Sequence, residues 1–282
     1  MEYRKLGSSD LKVSVIGYGA WGIGGAPFWN NEGDEKSKDS IKKAYDLGIN
    51  FFDTAPVYGF GHSEELIGKA VKPFRDKVII ATKCGLRWDK RSLSALRKDA
   101  SRNSILEEID QSLKRLDMDV IDLYQVHWPD EKTDQKETME TLLEIQEKGK
   151  IRHIGMGARN IDVLLRAIDT GQVEIVLTYL EYNLFNQTAS AELFPAVNKR
   201  DVGVLLASPL GMGLLTGDET VFERASQYSD NAINPQRVAT ARAMWEWCRQ
   251  RDLNIRHLAC LLYTSDAADE GLGVDLGGRR II

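Results

Sequence analysis

The chain has 282 residues, which is within the size of one large α/β domain, and a formal net charge of −5 with acidic and basic residues interspersed. The lack of a basic stripe, a membrane span or a signal-peptide core argues against nucleic-acid and membrane partners, and indicates a cytoplasmic protein that acts on a small molecule. Cys84, Cys248 and Cys260 have neither disulfide nor metal-ligand spacing, so no metal is expected.

The first residues predict a β-hairpin. In the segment YRKLGSSDLKVSV, two short runs flank the turn-forming residues Gly7, Ser8, Ser9 and Asp10. This hairpin precedes the main sheet, and we expect it to close the floor of the fold.

Apolar runs then alternate with amphipathic stretches. Two of the amphipathic stretches, at residues 36–48 and 104–117, predict helices, and Ser104 and Glu107 have the spacing of a capping box. This alternation is typical of repeated βα units and predicts an α/β fold with a parallel sheet. The predicted strands are residues 13–19, 50–55, 77–83, 120–127, 151–157, 173–180 and 202–208.

Four side chains with complementary acid–base character follow or end predicted strands: Asp53, Tyr58, Lys83 and His127. A tyrosine has a free pKa of about 10, so it needs help to exchange a proton near neutral pH. A nearby ammonium favours the phenolate, a carboxylate can hold that ammonium, and an imidazole can orient a substrate oxygen. The set predicts carbonyl–alcohol redox chemistry.

Each of the four residues also has an ordinary structural interpretation. Asp53 could cap a helix, and Tyr58 could be a half-buried loop aromatic. Lys83 could extend from an apolar run to solvent, and His127 could be a hydrogen-bonded core histidine. Their occurrence together, in order at successive strand ends, favours the functional interpretation.

The motifs FFDTAPVYGFGHSEELIGKA, ATK and YQVHWP resemble those of the aldo-keto reductase family. The resemblance covers residues 1–259 and implies a (β/α)₈ TIM barrel that binds NADP or NAD across the carboxyl ends of its strands, without a Rossmann fold. LTYLEYNL and ASPLGMGLLTG make the second half similar to the L-galactose and L-fucose dehydrogenase branch. The first half is more similar to bacterial aldehyde reductases, so the direction of the reaction stays open.

The resemblance implies a role for each catalytic candidate. Tyr58 would be the general acid in reduction and the base in oxidation, Lys83 would lower its pKa, and Asp53 would pair with Lys83. His127 would lie beside the substrate oxygen. For the tryptophans of the pocket, core packing is the alternative. The implied substrate pocket consists of Trp21, Tyr58, Trp88, His127 and Trp128.

The implied cofactor contacts depart from the family pattern at several positions. Gly157 and Ala158 stand where many members have Ser-Asn, Tyr179 stands at a usual glutamine, and Ala207 replaces a tyrosine that stacks on the nicotinamide. Tyr179 or Asn160 would then have to hold the ring. The implied cofactor-binding residues are Gly19, Ala20, Trp21, Asp53, Gly157, Tyr179, Ser208, Leu210 and Gly213.

The C-terminal segment breaks the alternating pattern. CLLYTSDAADE and VDLGGRRII resemble the translation of a sequencing-library adapter, which implies that residues 260–282 are a non-native, disordered tail; a native glycine-rich tail is the alternative. Residues 1–259 would then form a barrel that stops before its last strand, with open edges on the first and seventh strands. We expect such a chain to be unstable by itself.

The sequence as a whole predicts an NAD(P)-dependent oxidoreductase that interconverts a small aldehyde, ketone or sugar with its alcohol. Two alternatives are a non-catalytic subunit of the same fold that senses nicotinamide nucleotides, as in potassium-channel β-subunits, and an inactive fragment. The channel subunits lack a histidine at the position of His127, which favours the enzyme.

Overall fold

Seven parallel strands form the centre of the fold. The computed structural model describes residues 1–27, 29, 33–225 and 234–264. All seven predicted strands are present in it. They are β1 (Tyr18–Gly19), β2 (Phe51–Asp53), β3 (Ile79–Cys84), β4 (Ile121–Val126), β5 (Ile151–Gly157), β6 (Ile175–Tyr179) and β7 (Gly203–Ala207).

The strands follow one another in chain order from β1 to β7. In the register of the sheet, Lys83 of β3 lies opposite Gln125 of β4, and Tyr179 of β6 lies opposite Ala207 of β7. The carboxyl ends of parallel strands lie at the same end of the barrel, so the loops that follow these strands lie together there. In the described part of the chain β1 and β7 are the outer strands, and the sheet is a nearly closed barrel of the predicted TIM type.

Helices connect successive strands and cover the outside of the sheet. A continuous apolar cluster, which includes Phe52, Ile80, Tyr124 and Ile154, lies between the sheet and these helices. The helices are α1 (Asp34–Asp46), α2 (His62–Val71), α3 (Arg102–Leu116), α4 (Gln135–Glu147), α5 (Ile161–Asp169), α6 (Leu193–Arg200), α7 (Thr220–Ala225), α8 (Pro235–Arg249) and α9 (Ile255–Thr264).

The predicted N-terminal hairpin is present and covers the floor of the barrel. Its antiparallel strands are Tyr3–Lys5 and Lys12–Ser14. Leu6 and Val13 of this hairpin are buried in one cluster with inward-facing strand residues such as Leu123. The amide of Ser8 donates to the carbonyl of Asp201, just before β7, at 2.7 Å. The hairpin therefore ties the start of the chain to the seventh strand.

Two predicted element boundaries are wrong. The predicted strand at 13–19 is divided. The Asn50 side chain accepts the Ser14 amide at 2.6 Å, the Ser14 hydroxyl donates to the carbonyl of Ile16, and these contacts interrupt the strand. The predicted capping box is also not formed, because α3 begins at Arg102, before Ser104.

The sequence predicts that residues 260–264 belong to a disordered tail, but in the structure they continue α9 to Thr264. Ile255, Leu258, Ala259 and Leu262 recur at helical spacing, and this stripe extends across the boundary at residue 260. Ile255 and Ala259 are buried with residues of α7 and α8. Residues 265–282 lie outside the described residues, so the prediction for them stays a prediction.

An ionic cluster fastens the hairpin to the floor. His153, at the start of β5, contacts Asp10 through Nε2 and Glu174 through Nδ1, each at 2.7 Å. Arg152 bridges Asp10 at 2.9 Å and Asp122 at 3.2 Å. Burial opposes protonation of His153, but the hydrogen bonds that its ring donates to the carboxylates of Glu174 and Asp10 outweigh burial and raise its pKa above the ordinary value.

This shift makes the stability of the protein depend on pH. Because the folded pKa of His153 is raised, its stabilisation is complete below the unfolded pKa of about 6.5 and is lost as the pH rises through the folded pKa. We expect His153→Gln to lower the free energy of unfolding by about 1 kcal/mol near pH 6 and by much less near pH 9, as measured by denaturant titration. The control is His257→Gln, at an exposed histidine of α9, and an equal loss at both pH values would contradict the prediction.

Candidate active site

The catalytic candidates meet at the carboxyl ends of β2, β3 and β4. Asp53 ends β2, Lys83 precedes the last residue of β3, and His127 directly follows β4. Tyr58 lies in the loop between β2 and α2. Because these strands are parallel neighbours, all four side chains belong to one edge of the barrel.

The Lys83 ammonium is buried and fully engaged. The Lys83 side chain is 2% exposed, and its Nζ lies 2.6 Å from Asp53 Oδ2. It also donates to the carbonyl of Thr54 at 2.7 Å. Burial disfavours the charge, but Asp53 and Tyr58 outweigh burial and raise the pKa of Lys83 above its ordinary value. Lys83 is therefore a fixed positive charge.

Tyr58 lies between this charge and His127. Lys83 Nζ is 5.2 Å from the centroid of the Tyr58 ring. The rings of Tyr58 and His127 meet edge to face, with centroids 5.7 Å apart and an interplanar angle of 85°. The phenol, the ammonium and the imidazole thus form one contiguous group.

The protonation states follow from burial and from Lys83. Burial raises the pKa of the Tyr58 phenol above its ordinary value, although the Lys83 charge opposes this. Lys83 thus acts in the predicted direction, but the net shift is upward. Burial, assisted by the Lys83 charge, holds the pKa of His127 well below its usual range. At neutral pH, Tyr58 is therefore protonated and His127 is neutral.

Two glycines bring the β1 loop against the Tyr58 loop. Gly59 has a φ of +64°, and a Cβ there would lie 2.0 Å from the Gly24 carbonyl oxygen. A Cβ on Gly24 would lie 2.7 Å from the carbonyl carbon of Tyr58. This close approach requires glycine at both positions and places Trp21 beside Tyr58, with ring centroids 6.4 Å apart.

The structure brings most of the predicted substrate pocket together. Trp21, Tyr58, His127 and Trp128 form a chain of ring contacts, which ends with 5.6 Å between the centroids of His127 and Trp128. Trp88 packs instead on Phe60, with ring centroids 5.5 Å apart, and against a small apolar cluster that Tyr58 also contacts. It lines a separate cavity of about 320 Å³.

Gln125 is a site residue that the sequence prediction omits. It is fully buried, and its Nε2 donates to Asp53 Oδ1 at 3.1 Å. A Cβ on Gly155 of the neighbouring strand would lie 2.7 Å from Gln125 Cγ, so this glycine makes room for the amide. Gln125 lies two residues before His127, and period-two alternation would have placed both on one face of the strand.

Trp29 is a second omitted residue. Its ring meets Trp21 edge to face, with centroids 5.2 Å apart, and it is 46% exposed. It extends the aromatic wall from Tyr58 towards solvent. Its signal in the sequence is weak, since a tryptophan in a loop has no periodic pattern.

The implied cofactor residues all lie at the carboxyl ends of strands. Gly19 ends β1 opposite Asp53, and a Cβ there would meet nothing within 4 Å, which leaves space for a ligand. Ala20 is buried, and its amide donates to the Asp53 carbonyl at 2.8 Å. Gly157 and Tyr179 end β5 and β6. These residues fit a nicotinamide dinucleotide laid across the barrel mouth.

The loop after β7 is a tight coil that contains Ser208, Leu210 and Gly213. Ser208 has a φ of +56° and Gly213 a φ of +95°. Amides of this loop, including that of Gly213, donate to carbonyls of the same loop. Leu214 and Leu215 anchor it among α7, α8 and α9. The loop is therefore shaped by its own turns, and the amides that make these bonds are not available to a ligand.

A cavity of about 490 Å³ opens beside the ring chain, between the ends of β4, β5 and β6. Trp128, Ala158 and Tyr179 line it, together with Asn160. A Cβ on Gly157 would lie 3.1 Å from the His127 carbonyl oxygen, which leaves little room for the serine that is usual there. Two of the departures from the family pattern, Ala158 and Tyr179, therefore line this cavity.

A parallel α/β barrel with titratable side chains at the carboxyl ends of its strands has the architecture of a barrel enzyme. In the described ranges, no three His, Cys, Asp or Glu side chains are grouped to hold a metal ion. The helices of the described part are too short or too polar to cross a membrane.

Comparison with known proteins identifies the family. The model of the Aldo/keto reductase family matches residues 15–267. The aldo-keto reductase YhdN of Bacillus subtilis (strain 168) is 41% identical over 230 residues, which are 79% of this chain and 67% of that protein. L-galactose dehydrogenase of Arabidopsis thaliana is 36% identical over 225 residues, 77% of this chain and 67% of that protein.

A solved structure agrees with these matches. Glycerol dehydrogenase from Gluconobacter oxydans is 31% identical and superposes with a TM-score of 0.76, over 91% of this chain and 81% of that chain. The chain belongs to the aldo/keto reductase family, as its motifs predict, and is an NAD(P)-dependent oxidoreductase. The roles of individual residues stay predictions.

Proposed function

We propose that the protein interconverts a small aldehyde, ketone or sugar with the corresponding alcohol, with Tyr58 as the proton donor in reduction and the acceptor in oxidation. The observation that carries this proposal is the buried Lys83–Asp53 ion pair, with Nζ and Oδ2 2.6 Å apart, beneath the ring of Tyr58. A charged pair in a nearly dry interior often contributes no net stability relative to apolar residues of similar volume, so its presence supports a role in the reaction. Here it holds a positive charge beside a phenol.

In reduction, the Tyr58 hydroxyl donates its proton to the carbonyl oxygen as negative charge develops there. Lys83 stabilises the phenolate that remains, and Asp53 keeps Lys83 in place. Neutral His127 can donate one hydrogen bond to the same oxygen and thereby orient the carbonyl. In oxidation the phenolate takes the proton from the alcohol.

NADP or NAD supplies or accepts the hydride when it is bound. Gly19, Ala20, Trp21 and Asp53 would hold it on the β1 side of the barrel mouth, and Gly157 and Tyr179 on the other. The loop with Ser208, Leu210 and Gly213 would hold its phosphates. Because the Gly213 amide already donates to the Leu210 carbonyl at 3.1 Å, Gly213 would contribute space there and not a hydrogen bond.

Tyr179 is the better of the two candidates for holding the nicotinamide ring. Asn160 caps α5, because its side-chain oxygen accepts the Asp162 amide at 2.9 Å. Tyr179 lies opposite Ala207, so the small side chain on β7 leaves space beside the tyrosine ring on β6. We infer that the Tyr179 ring replaces the stacking surface that Ala207 lacks.

The first prediction from this proposal concerns the Tyr58 phenol. We expect Tyr58→Phe to lower kcat by about 100-fold or more, because no other group replaces its proton, and to leave cofactor binding intact. Initial rates of NAD(P)H oxidation with a panel of aldehydes, and of NAD(P)⁺ reduction with sugars and polyols, measure this. The control is Tyr45→Phe, at a ring that stacks on Phe74 on the outside of the barrel.

Wild-type protein that binds NAD(P)H but turns over no substrate in either direction would contradict the proposal. That outcome would favour the non-catalytic, nucleotide-sensing alternative.

The second prediction concerns pH. Because the pKa of Tyr58 is raised, its acid form persists up to and beyond the ordinary value of about 10. Between about pH 8 and 9.5, the rate of carbonyl reduction should therefore not fall, because Tyr58 stays protonated. The rate of alcohol oxidation should increase with pH over the same range. A fall of reduction within that range, together with a flat oxidation rate, would show that another group transfers the proton.

The third prediction concerns the cofactor ring. We expect Tyr179→Ala to raise the Kd for NAD(P)H about tenfold, which corresponds to loss of one aromatic stacking contact, and Tyr179→Phe to change it little. Quenching of tryptophan fluorescence on titration with NAD(P)H measures both values. An unchanged Kd in Tyr179→Ala would exclude the stacking role.

A further inference from the structure

One peptide unit joins the Lys83 strand to His127. The carbonyl of Cys84 accepts the His127 amide at 2.8 Å. On the other side of the same peptide, the amide of Gly85 donates to both carboxylate oxygens of Glu108, at 3.0 and 3.2 Å. Gly85 has a φ of +89°, so β3 ends and the backbone turns away at this point.

Glu108 projects from α3 and is 3% exposed. The hydroxyl of Ser104, one turn earlier on the helix, donates to its Oε1 at 3.1 Å. The Gly85 amide and the Ser104 hydroxyl are both neutral donors. Arg87, whose charge favours the ionised form of Glu108, bridges the surface residue Glu107 at 2.7 Å. Burial raises the pKa of Glu108 to about 7, although the Gly85 amide opposes this.

Charged and titratable groups face Glu108 from several elements. Arg87 and Asp99, from the segment after β3, lower and raise its pKa respectively. The buried thiol of Cys84 and hydroxyl of Tyr124, from β3 and β4, both have pKa values raised by burial and further by the Glu108 charge. The cavity that Glu108 borders is also lined by Glu65, Arg91 and Arg115.

We propose that Glu108 is a positioning residue of the reaction: its ionised carboxylate fixes the Cys84–Gly85 peptide, and through it the relative placement of Lys83 and His127. The inference rests on the proposed function of those two residues. Hydrogen bonds to an ionised acceptor are about twice as strong as neutral ones. A polarised peptide also strengthens the next hydrogen bond in the chain, here the one from the His127 amide.

Protonation of Glu108 weakens this arrangement. A neutral carboxyl has one hydroxyl that donates, so it can no longer accept the Gly85 amide on both oxygens. The end of β3 is then held less tightly against the end of β4. Because Glu108 touches no substrate in this arrangement, the effect should appear in kcat rather than in KM.

The pH dependence of kcat in the variant Glu108→Gln, which lacks the carboxylate charge, tests this inference. In the wild type we expect kcat for carbonyl reduction to increase about three- to tenfold from about pH 6 to 8.5, with a midpoint near 7. Glu108→Gln should abolish this increase and keep kcat at the low plateau, with KM nearly unchanged. Glu107→Gln removes the neighbouring exposed carboxylate as a matched control and should follow the wild type.

A second variant and a second readout do not depend on Glu108→Gln folding well. Ser104→Ala removes one donor to the carboxylate, so the midpoint of the wild-type increase should move to higher pH. The ¹⁵N–¹H resonance of the Gly85 amide should titrate with the same midpoint as kcat in wild-type protein, and should not titrate in Glu108→Gln.

The outcomes separate this inference from the proposed function. A wild type without turnover would remove both. Turnover with an unchanged pH profile in Glu108→Gln, or an equal loss of kcat at every pH, would overturn the positioning role alone. A Gly85 amide that does not titrate would overturn it as well.

Discussion

The ion pair between Lys83 and Asp53 is the interaction on which the rest of the site depends. A lysine with a 2% exposed side chain is tolerated only because Asp53 and the Thr54 carbonyl both hold its ammonium. Burial lowers the pKa of His127 and raises that of Tyr58, and the Lys83 charge adds to the first shift and opposes the second. The buried cation thus modifies the protonation equilibria that burial imposes on its neighbours.

The barrel keeps that pair in place through backbone contacts on adjacent strands. β2, β3 and β4 are neighbours in a parallel sheet, so their carboxyl ends lie next to one another. Behind the site, two buried carboxylates hold β3: Glu64 accepts the hydroxyl of Thr82 at 2.7 Å, and Glu108 accepts the amide of Gly85. Below it, the hairpin residues Leu6 and Val13 seal the floor. Catalytic geometry and barrel stability therefore share the same elements.

Much of this arrangement was predictable from the chain alone. Strands buried on both faces are apolar throughout, so all seven were visible as short runs, and the motifs around Asp53 and His127 identified the family. Gln125 was not predicted because its place two residues before His127 indicates its face of the strand but does not separate a site amide from a packing residue. The division of residues 13–19 depended on the Asn50 side chain, a partner 36 residues away from Ser14. The continuation of α9 depended on the packing of Ile255 and Ala259.

The fold class, the family and the kinds of side chain at the strand ends follow from the amino-acid sequence, because periodicity and residue chemistry are local properties. Which of these side chains act together depended on the packing of the whole chain. That packing joins the rings of Trp21, Tyr58 and His127, places the Trp88 ring on Phe60, and sets the net direction of the Tyr58 pKa shift. Burial and distance arise when remote segments pack, and both the solvation of a charge and its pairing depend on them.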